Sequence, residues 1–230
     1  MRLLAMTTIN ATGLVSARAT LVNIGIALVT TCAAVGAANA ADPVGDARQL
    51  SAGRSLALNV CSTCHGVDGS AAGTQFPKLA GQVSGFTALQ LRNYRSGERP
   101  NPIMAAVAKP LDDAQIDAVA AYYASLAPMR PDTPSDPARA LAGEQIYQMG
   151  KPGAPACRYC HGVDGAGLAP VFPRLAGQHA GFVYAALQPY QHVADFKNPY
   201  AFVMKAVVQN LSDDDLKAVA AYVSGMSSRP

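Results

Sequence analysis

The chain has 230 residues, with 18 Lys and Arg against 15 Asp and Glu, a formal net charge of +3, and half of its residues are hydrophobic. A charge this near balance, with no basic stripe, gives no footing for a nucleic-acid partner. The length allows a leader and two small domains.

The first element in chain order is an export leader. Arg2 and Arg18 are the only charges before Asp42, an apolar run spans Leu21 to Ala34, and the small residues Ala38-Asn39-Ala40 follow. That order predicts a cleavable signal peptide over residues 1–40 and a periplasmic protein. The apolar run is shorter than the ~18 residues of a spanning helix; an uncleaved N-terminal anchor is the alternative. The basic stretch is long, so translation could begin after Met1. Cys32 follows Thr31 rather than the small residue of a lipoprotein site, and it leaves with the leader. Removal of both leader arginines leaves 16 basic against 15 acidic residues, a net of +1.

Helices are expected next. One covers Leu50 to Val60. The segment from Gly66 to Gly85 is rich in Gly and Pro and reads as loop. Ile116, Val119, Ala120 and Tyr123 recur at helical spacing behind Asp112 and Gln115, a capping pair. Pro128, Pro131, Pro134 and Pro137 make Ala127–Pro137 a linker. A second short helix is expected over Arg139 to Met149, and a second loop from Gly162 to Gly181. Ser212 and Asp215 then cap a last helix carrying Leu216, Val219, Ala220 and Val223. No sustained alternation predicts a strand, so the fold class is all-α.

The chain also repeats itself. A shift of 96 lays Cys61-Ser62-Thr63-Cys64-His65-Gly66-Val67-Asp68-Gly69 on Cys157-Arg158-Tyr159-Cys160-His161-Gly162-Val163-Asp164-Gly165. The same shift lays Phe76-Pro77-Lys78-Leu79-Ala80-Gly81-Gln82 on Phe172-Pro173-Arg174-Leu175-Ala176-Gly177-Gln178. Later the shift becomes 100, with four extra residues between Tyr190 and Met204. Two domains follow, over 44–130 and 136–230. Domains of this size are marginal alone, and a buried prosthetic group would supply missing apolar mass.

The chemistry lies in the repeated Cys-x-x-Cys-His. Two thiols at this spacing can add across the vinyl groups of a haem, and the adjoining imidazole then sits under the iron. The reading is therefore two covalent haem c groups, at Cys61/Cys64 and Cys157/Cys160, with His65 and His161 as proximal ligands. A thioredoxin-like pair needs no His and expects a βαβ context. A four-cysteine zinc site would unite pairs that the repeat separates. Two plain disulfides would leave both histidines unexplained.

For the sixth ligand, Met104 and Met204 are the methionines in matching positions, each on a loop ahead of the last helix, seven residues before a leucine, Leu111 or Leu211, and behind an Asn-Pro. The first copy has no other histidine. In the second, His179 and His192 face Val83 and Ser96 in the alignment, so both are expected on the surface. A thioether favours ferrous iron, and an iron with two protein ligands has no place for substrate.

The two Cys-His-Gly-Val-Asp-Gly strings, the two Phe-Pro-[Lys/Arg]-Leu-Ala-Gly-Gln strings and the methionines followed by Leu-[Asp/Ser]-Asp resemble the di-haem cytochrome c4 family. The resemblance implies two tandem class-I cytochrome c folds, each wrapped around one haem. It implies an electron-transfer protein rather than an enzyme. Its partners would be a quinol-oxidising complex or dehydrogenase as donor and a terminal oxidase as acceptor, with peripheral membrane association possible. It also implies that the Pro77 and Pro173 carbonyls accept the proximal histidine N–H, though each proline could simply shape its loop. Phe76/Phe172, Phe86/Phe182, Tyr94/Tyr190 and Tyr122/Tyr222 would pack by the haems or serve as ordinary core. Residues 41–133 carry 8 positive and 8 negative charges, and residues 134–230 carry 8 and 7, so the domains lack charge asymmetry. A cytochrome subunit of a periplasmic dehydrogenase has the same site chemistry. A di-haem peroxidase would need an iron without methionine.

Overall fold

The computed structural model describes residues 46–192 and 199–228. The predicted leader, residues 1–40, lies outside the described residues. Among those described, the secondary structure is helical, with only the isolated bridges Lys151–Ala154 and Leu168–Phe172. None of these helices is long and apolar enough to cross a membrane.

The first copy builds α1 (Ala47–Leu56), a π-turn (Ala57–Cys61), α2 (Ser62–His65), α3 (Ser84–Ser96), α4 (Pro102–Ala108) and α5 (Asp113–Ser125). The second builds α6 (Pro137–Met149), α7 (Arg158–His161), α8 (Ala180–His192), α9 (Pro199–Val208) and α10 (Asp213–Ser224). Both predicted capping boxes form. Asp112 accepts from Gln115 N at 2.7 Å while Gln115 accepts from Asp112 N at 3.0 Å, and Ser212 and Asp215 exchange bonds of 3.2 and 2.9 Å. Each satisfies donors that an open helix end leaves orphaned.

Each domain is locked by its first and last helices. A Cβ on Gly53 would stand 2.0 Å from Ala118 O, and one on Gly143 would stand 1.9 Å from Ala218 O. Only glycine permits either crossing. These glycines are ninety residues apart, whereas the cysteine pairs are ninety-six apart. The second copy places the difference between α6 and Cys157, in a loop closed by two 2.8 Å bonds between Lys151 and Ala154. In the first copy the helix runs on through the π-turn into Cys61, so the expected helix Leu50–Val60 is α1 plus that turn.

The same register exposes a compensation. Four residues after Gly53 stands Ala57; four after Gly143 stands Tyr147. The room left by Ala57 is taken by Tyr123 on α5, whose counterpart on α10 is Val223. Tyr122 and Tyr123 lie 5.4 Å apart at 57°, and Tyr222 and Tyr147 lie 5.5 Å apart at 56°. One tyrosine pair is thus built twice, its second ring supplied by opposite helices. Close packing demands that the volume be filled and is indifferent to which strand of sequence fills it.

The Phe-Pro-x-Leu-Ala-Gly-Gln strings meet across the domains. Gln178 accepts from Lys78 N and donates to Lys78 O, both at 2.9 Å; Gln82 accepts from Arg174 N at 2.7 Å and donates to Arg174 O at 3.0 Å. Lys78 Nζ donates to Gly177 O at 2.7 Å, and Arg174 Nε to Gly81 O at 2.8 Å. The predicted linker is built into this contact. Lys78 Nζ also reaches Arg130 O and Asp132, and Asp132 N donates to Ser224 O.

His179 differs from expectation. It is 6 % exposed, not on the surface, with Nδ1 2.8 Å from Asp132 and Nε2 2.7 Å from Ala71 O. Both ring nitrogens thus face acceptor oxygens. Its counterpart Val83 concealed this, because the contact is reciprocal in the shared strings but not beyond them. His192 is exposed, as expected.

The contact should respond to acid. Burial alone would raise the Asp132 carboxyl, but hydrogen bonds from Lys78 and His179 outweigh it and hold the group below the usual carboxylate range. Its stabilising effect is then complete above the ordinary value, about 3.9, and is lost as pH falls through the depressed one. The domains should separate in that acid range, read by small-angle scattering, and Asp132→Asn should remove the transition. A separation unaffected by Asp132→Asn would contradict this.

Candidate haem sites

Each Cys-x-x-Cys-His lies on a one-turn helix, α2 or α7, with the first cysteine at its N-cap. Gly66 and Gly162 end these turns at φ +79° and +83°, a region that disfavours side chains. The chain then folds back on itself. Ala71 N donates to His65 O and Gly167 N to His161 O, both at 2.9 Å, while Leu79 and Leu175 donate to Gly69 O and Gly165 O. These returns carry each proline over its histidine. His65 Nδ1 lies 2.8 Å from Pro77 O, and His161 Nδ1 lies 3.0 Å from Pro173 O.

A carbonyl only accepts, so Nδ1 carries the hydrogen in both rings and Nε2 keeps its lone pair. Burial pushes both imidazoles below the usual histidine range, against the smaller opposing effect of the proline bond. Each ring is therefore neutral and presents Nε2, the form in which histidine binds iron. Phe76 and Phe172 stand edge-on to these rings at 6.2 and 6.3 Å. Two of the predicted aromatics thus border the site. Tyr122 and Tyr222 stand at the helix crossings, in the clusters that also take in Cys61 and Cys157.

Cys61, Cys64, Cys157 and Cys160 are free thiols. Burial raises the Cys61 thiol, and raises Cys157 to about 11. Neither is the low-pKa thiolate of a redox-active pair. Among the described residues no cluster of three or more His, Cys, Asp or Glu could hold a metal ion. The donor set in each domain is two thiols and one neutral imidazole, the set a covalent haem requires. In the first domain the buried Tyr123 hydroxyl lies beside Cys61.

Met104 and Met204 lie on another element of each domain. Both were expected on loops; instead they ride on α4 and α9. The reason is local: Asn101 caps α4, accepting from Met104 N at 2.9 Å, and Pro102 sets the first turn. Asn198 lies outside the described residues. Helix α9 starts three residues farther ahead of its methionine than α4 does, so three of the four extra residues of the second copy lengthen a helix. Both methionines are half-buried, and the helices match in exposure position by position from Pro102 to Ala108 and Phe202 to Val208.

The sequence reading missed α3 and α8, the tyrosine exchange and the bridging role of Gln82 and Gln178. Only the last left a signal, in the recurrence of Gln at the end of each repeated string.

Comparison with known proteins agrees with this geometry. The cytochrome c family model matches residues 50–127 and again 140–227. Cytochrome c4 of Thiocapsa roseopersicina is 38% identical, over 82% of this chain and 96% of its own. The chain belongs to the cytochrome c4 family. The crystal structure of reduced recombinant cytochrome c4 from Pseudomonas stutzeri superposes with a TM-score of 0.71 at 32% identity, covering 77% of this chain and 98% of that one. A thiosulfate dehydrogenase electron acceptor of Stutzerimonas stutzeri (strain A1501) is 35% identical over 77% of this chain and 83% of its own. This cytochrome c4 relative is an electron-transfer protein, not an enzyme, with two tandem cytochrome c domains and two covalent haem c groups.

Proposed function

We propose that this cytochrome is exported, loses residues 1–40, and works in the periplasm between a quinol-oxidising complex or dehydrogenase and a terminal oxidase. Its domains would cover 44–130 and 136–230. Cys61/Cys64 and Cys157/Cys160 would hold the haems by thioether bonds. His65 with Met104, and His161 with Met204, would take the axial positions. The matched placement of Met104 and Met204 on equivalent helices carries this reading.

When bound, each haem supplies a one-electron iron couple. The protein does the rest. Pro77 and Pro173 fix the proximal rings and their tautomer. The methionine thioethers of Met104 and Met204 would favour ferrous iron and raise the potential. With both axial positions filled by side chains, oxidation and reduction would require little rearrangement, as an electron carrier needs.

A second reading, the electron acceptor of a periplasmic dehydrogenase, is favoured by the likeness to the thiosulfate dehydrogenase electron acceptor. Reduction by isolated quinol-oxidising membranes, set against reduction by a thiosulfate-oxidising enzyme, separates the two.

Coordination sets the first expectation. The reduced wild type should pass electrons rapidly to a small outer-sphere acceptor, yet bind no carbon monoxide at neutral pH. Release of a methionine requires opening a helix, a rare local event in a packed segment. Stoichiometric carbon monoxide binding, or peroxide-driven dye oxidation, would show an open iron and refute this assignment.

A further inference from the structure

The peptide between Pro77 and Lys78 is engaged at both ends. Its carbonyl accepts from His65 Nδ1 at 2.8 Å, and its N–H donates to Gln178 Oε1 of the other domain at 2.9 Å. The peptide between Pro173 and Arg174 repeats this, accepting from His161 Nδ1 at 3.0 Å and donating to Gln82 Oε1 at 2.7 Å. Gln82 and Gln178 are 5 % and 4 % exposed, so no water substitutes for them. Their orientation is fixed. Each Oε1 also accepts the N–H of its own next residue, Val83 at 2.9 Å or His179 at 3.0 Å, and each Nε2 faces a carbonyl.

From this we infer that each glutamine tunes the haem of the opposite domain, as a positioning residue acting through one peptide group. The amide is a single conjugated unit, so a hydrogen bond at its N–H shifts electron density to its oxygen. Chains of hydrogen bonds strengthen one another by perhaps 10–30% per bond. The proline oxygen becomes a better acceptor, and the proximal imidazole becomes more electron-rich. The partner of a ligand histidine's second N–H tunes the metal in this way. An electron-rich imidazole favours ferric iron. The inference rests on His65 and His161 as iron ligands.

The sign and the domain are both predicted. Gln178→Leu leaves Lys78 N–H without its acceptor. It should shift the reduction equilibrium of the haem at Cys61/Cys64 toward ferrous, by two- to tenfold, where tenfold is 59 mV for one electron. The haem at Cys157/Cys160, in the same domain as the substitution, should stay at its wild-type value. Gln82→Leu should do the reverse. The measurement is a redox titration of the intact holoprotein followed by paramagnetic NMR, in which each haem has its own methyl signals. Gln178→Met, of nearly the same volume, serves if the leucine variant loads haem poorly.

The crossed pattern would not arise from a merely loosened interface, which would move both haems together. A shift confined to the variant's own domain, an equal shift of both haems, or no shift in either variant would overturn the inference. The wild-type spectrum tests the underlying assignment separately. Absence of hyperfine-shifted histidine and methionine signals there would sink the axial ligands themselves, whereas their presence without crossed shifts would sink only the role of the glutamines.

Discussion

Met204→Ala should open the second haem iron and leave the first in its wild-type coordination. The near-infrared sulfur-to-iron band should fall by about half, and the reduced variant should bind one carbon monoxide per chain. The expectation follows from the repeat. Met104 and Met204 lie on separate helices, α4 and α9. Met204 packs against the core of the second domain, with Val208, Leu211 and Val223, a core that shares no member with those of the first. Alanine removes the only thioether on α9. The short side chain cannot reach iron, and the α9 backbone remains helical because alanine is the best helix former. Met104→Ala should produce the mirror result. Loss of both halves of the band in either single variant, or of neither, would contradict the pairing of His65 with Met104 and His161 with Met204.

Gly143→Leu should prevent the second domain from assembling. Its Cβ would stand 1.9 Å from Ala218 O and 2.9 Å from Tyr222 Cβ. The first obstacle is helix backbone, which cannot rotate aside as a side chain would. Helices α6 and α10 must move apart, exposing Ile146, Tyr147 and Val219, all now buried. Overpacking a core typically costs 1–3 kcal/mol; here the cost should exceed about 3 kcal/mol. The domain should load haem poorly and melt first. Gly53→Leu should do the same to the first domain, where Ala118 O is the obstacle. Either variant with two haems and wild-type melting would show that the crossings tolerate a side chain.

How far these features were legible in sequence depends on what recorded them. Capping boxes, cysteine pairs and proline carbonyls are local, and the repeat wrote each of them twice. Helices α3 and α8 left no clean apolar stripe. One face of α3 meets α4 and α5, and its first turn meets Pro170 of the other domain, with Pro170 O only 2.3 Å from where a Gly85 Cβ would lie. The methionine helices were hidden by their brevity, since Asn101 and Pro102 read equally as loop residues. His179 was misplaced because a difference between the copies was taken as lack of role, whereas one ring bridges Asp132 and Ala71 across the contact. The tyrosine exchange was out of reach of a fixed shift, because Tyr123 and Tyr147 occupy one place in the fold from different places in the repeat.

The central claim, two covalent haems on one exported chain, is tested most directly by intact mass. Protein purified from the native host and extracted with acid acetone should weigh as much as the chain without residues 1–40 plus two haems. A mass equal to bare polypeptide, or to polypeptide with one haem, would contradict it.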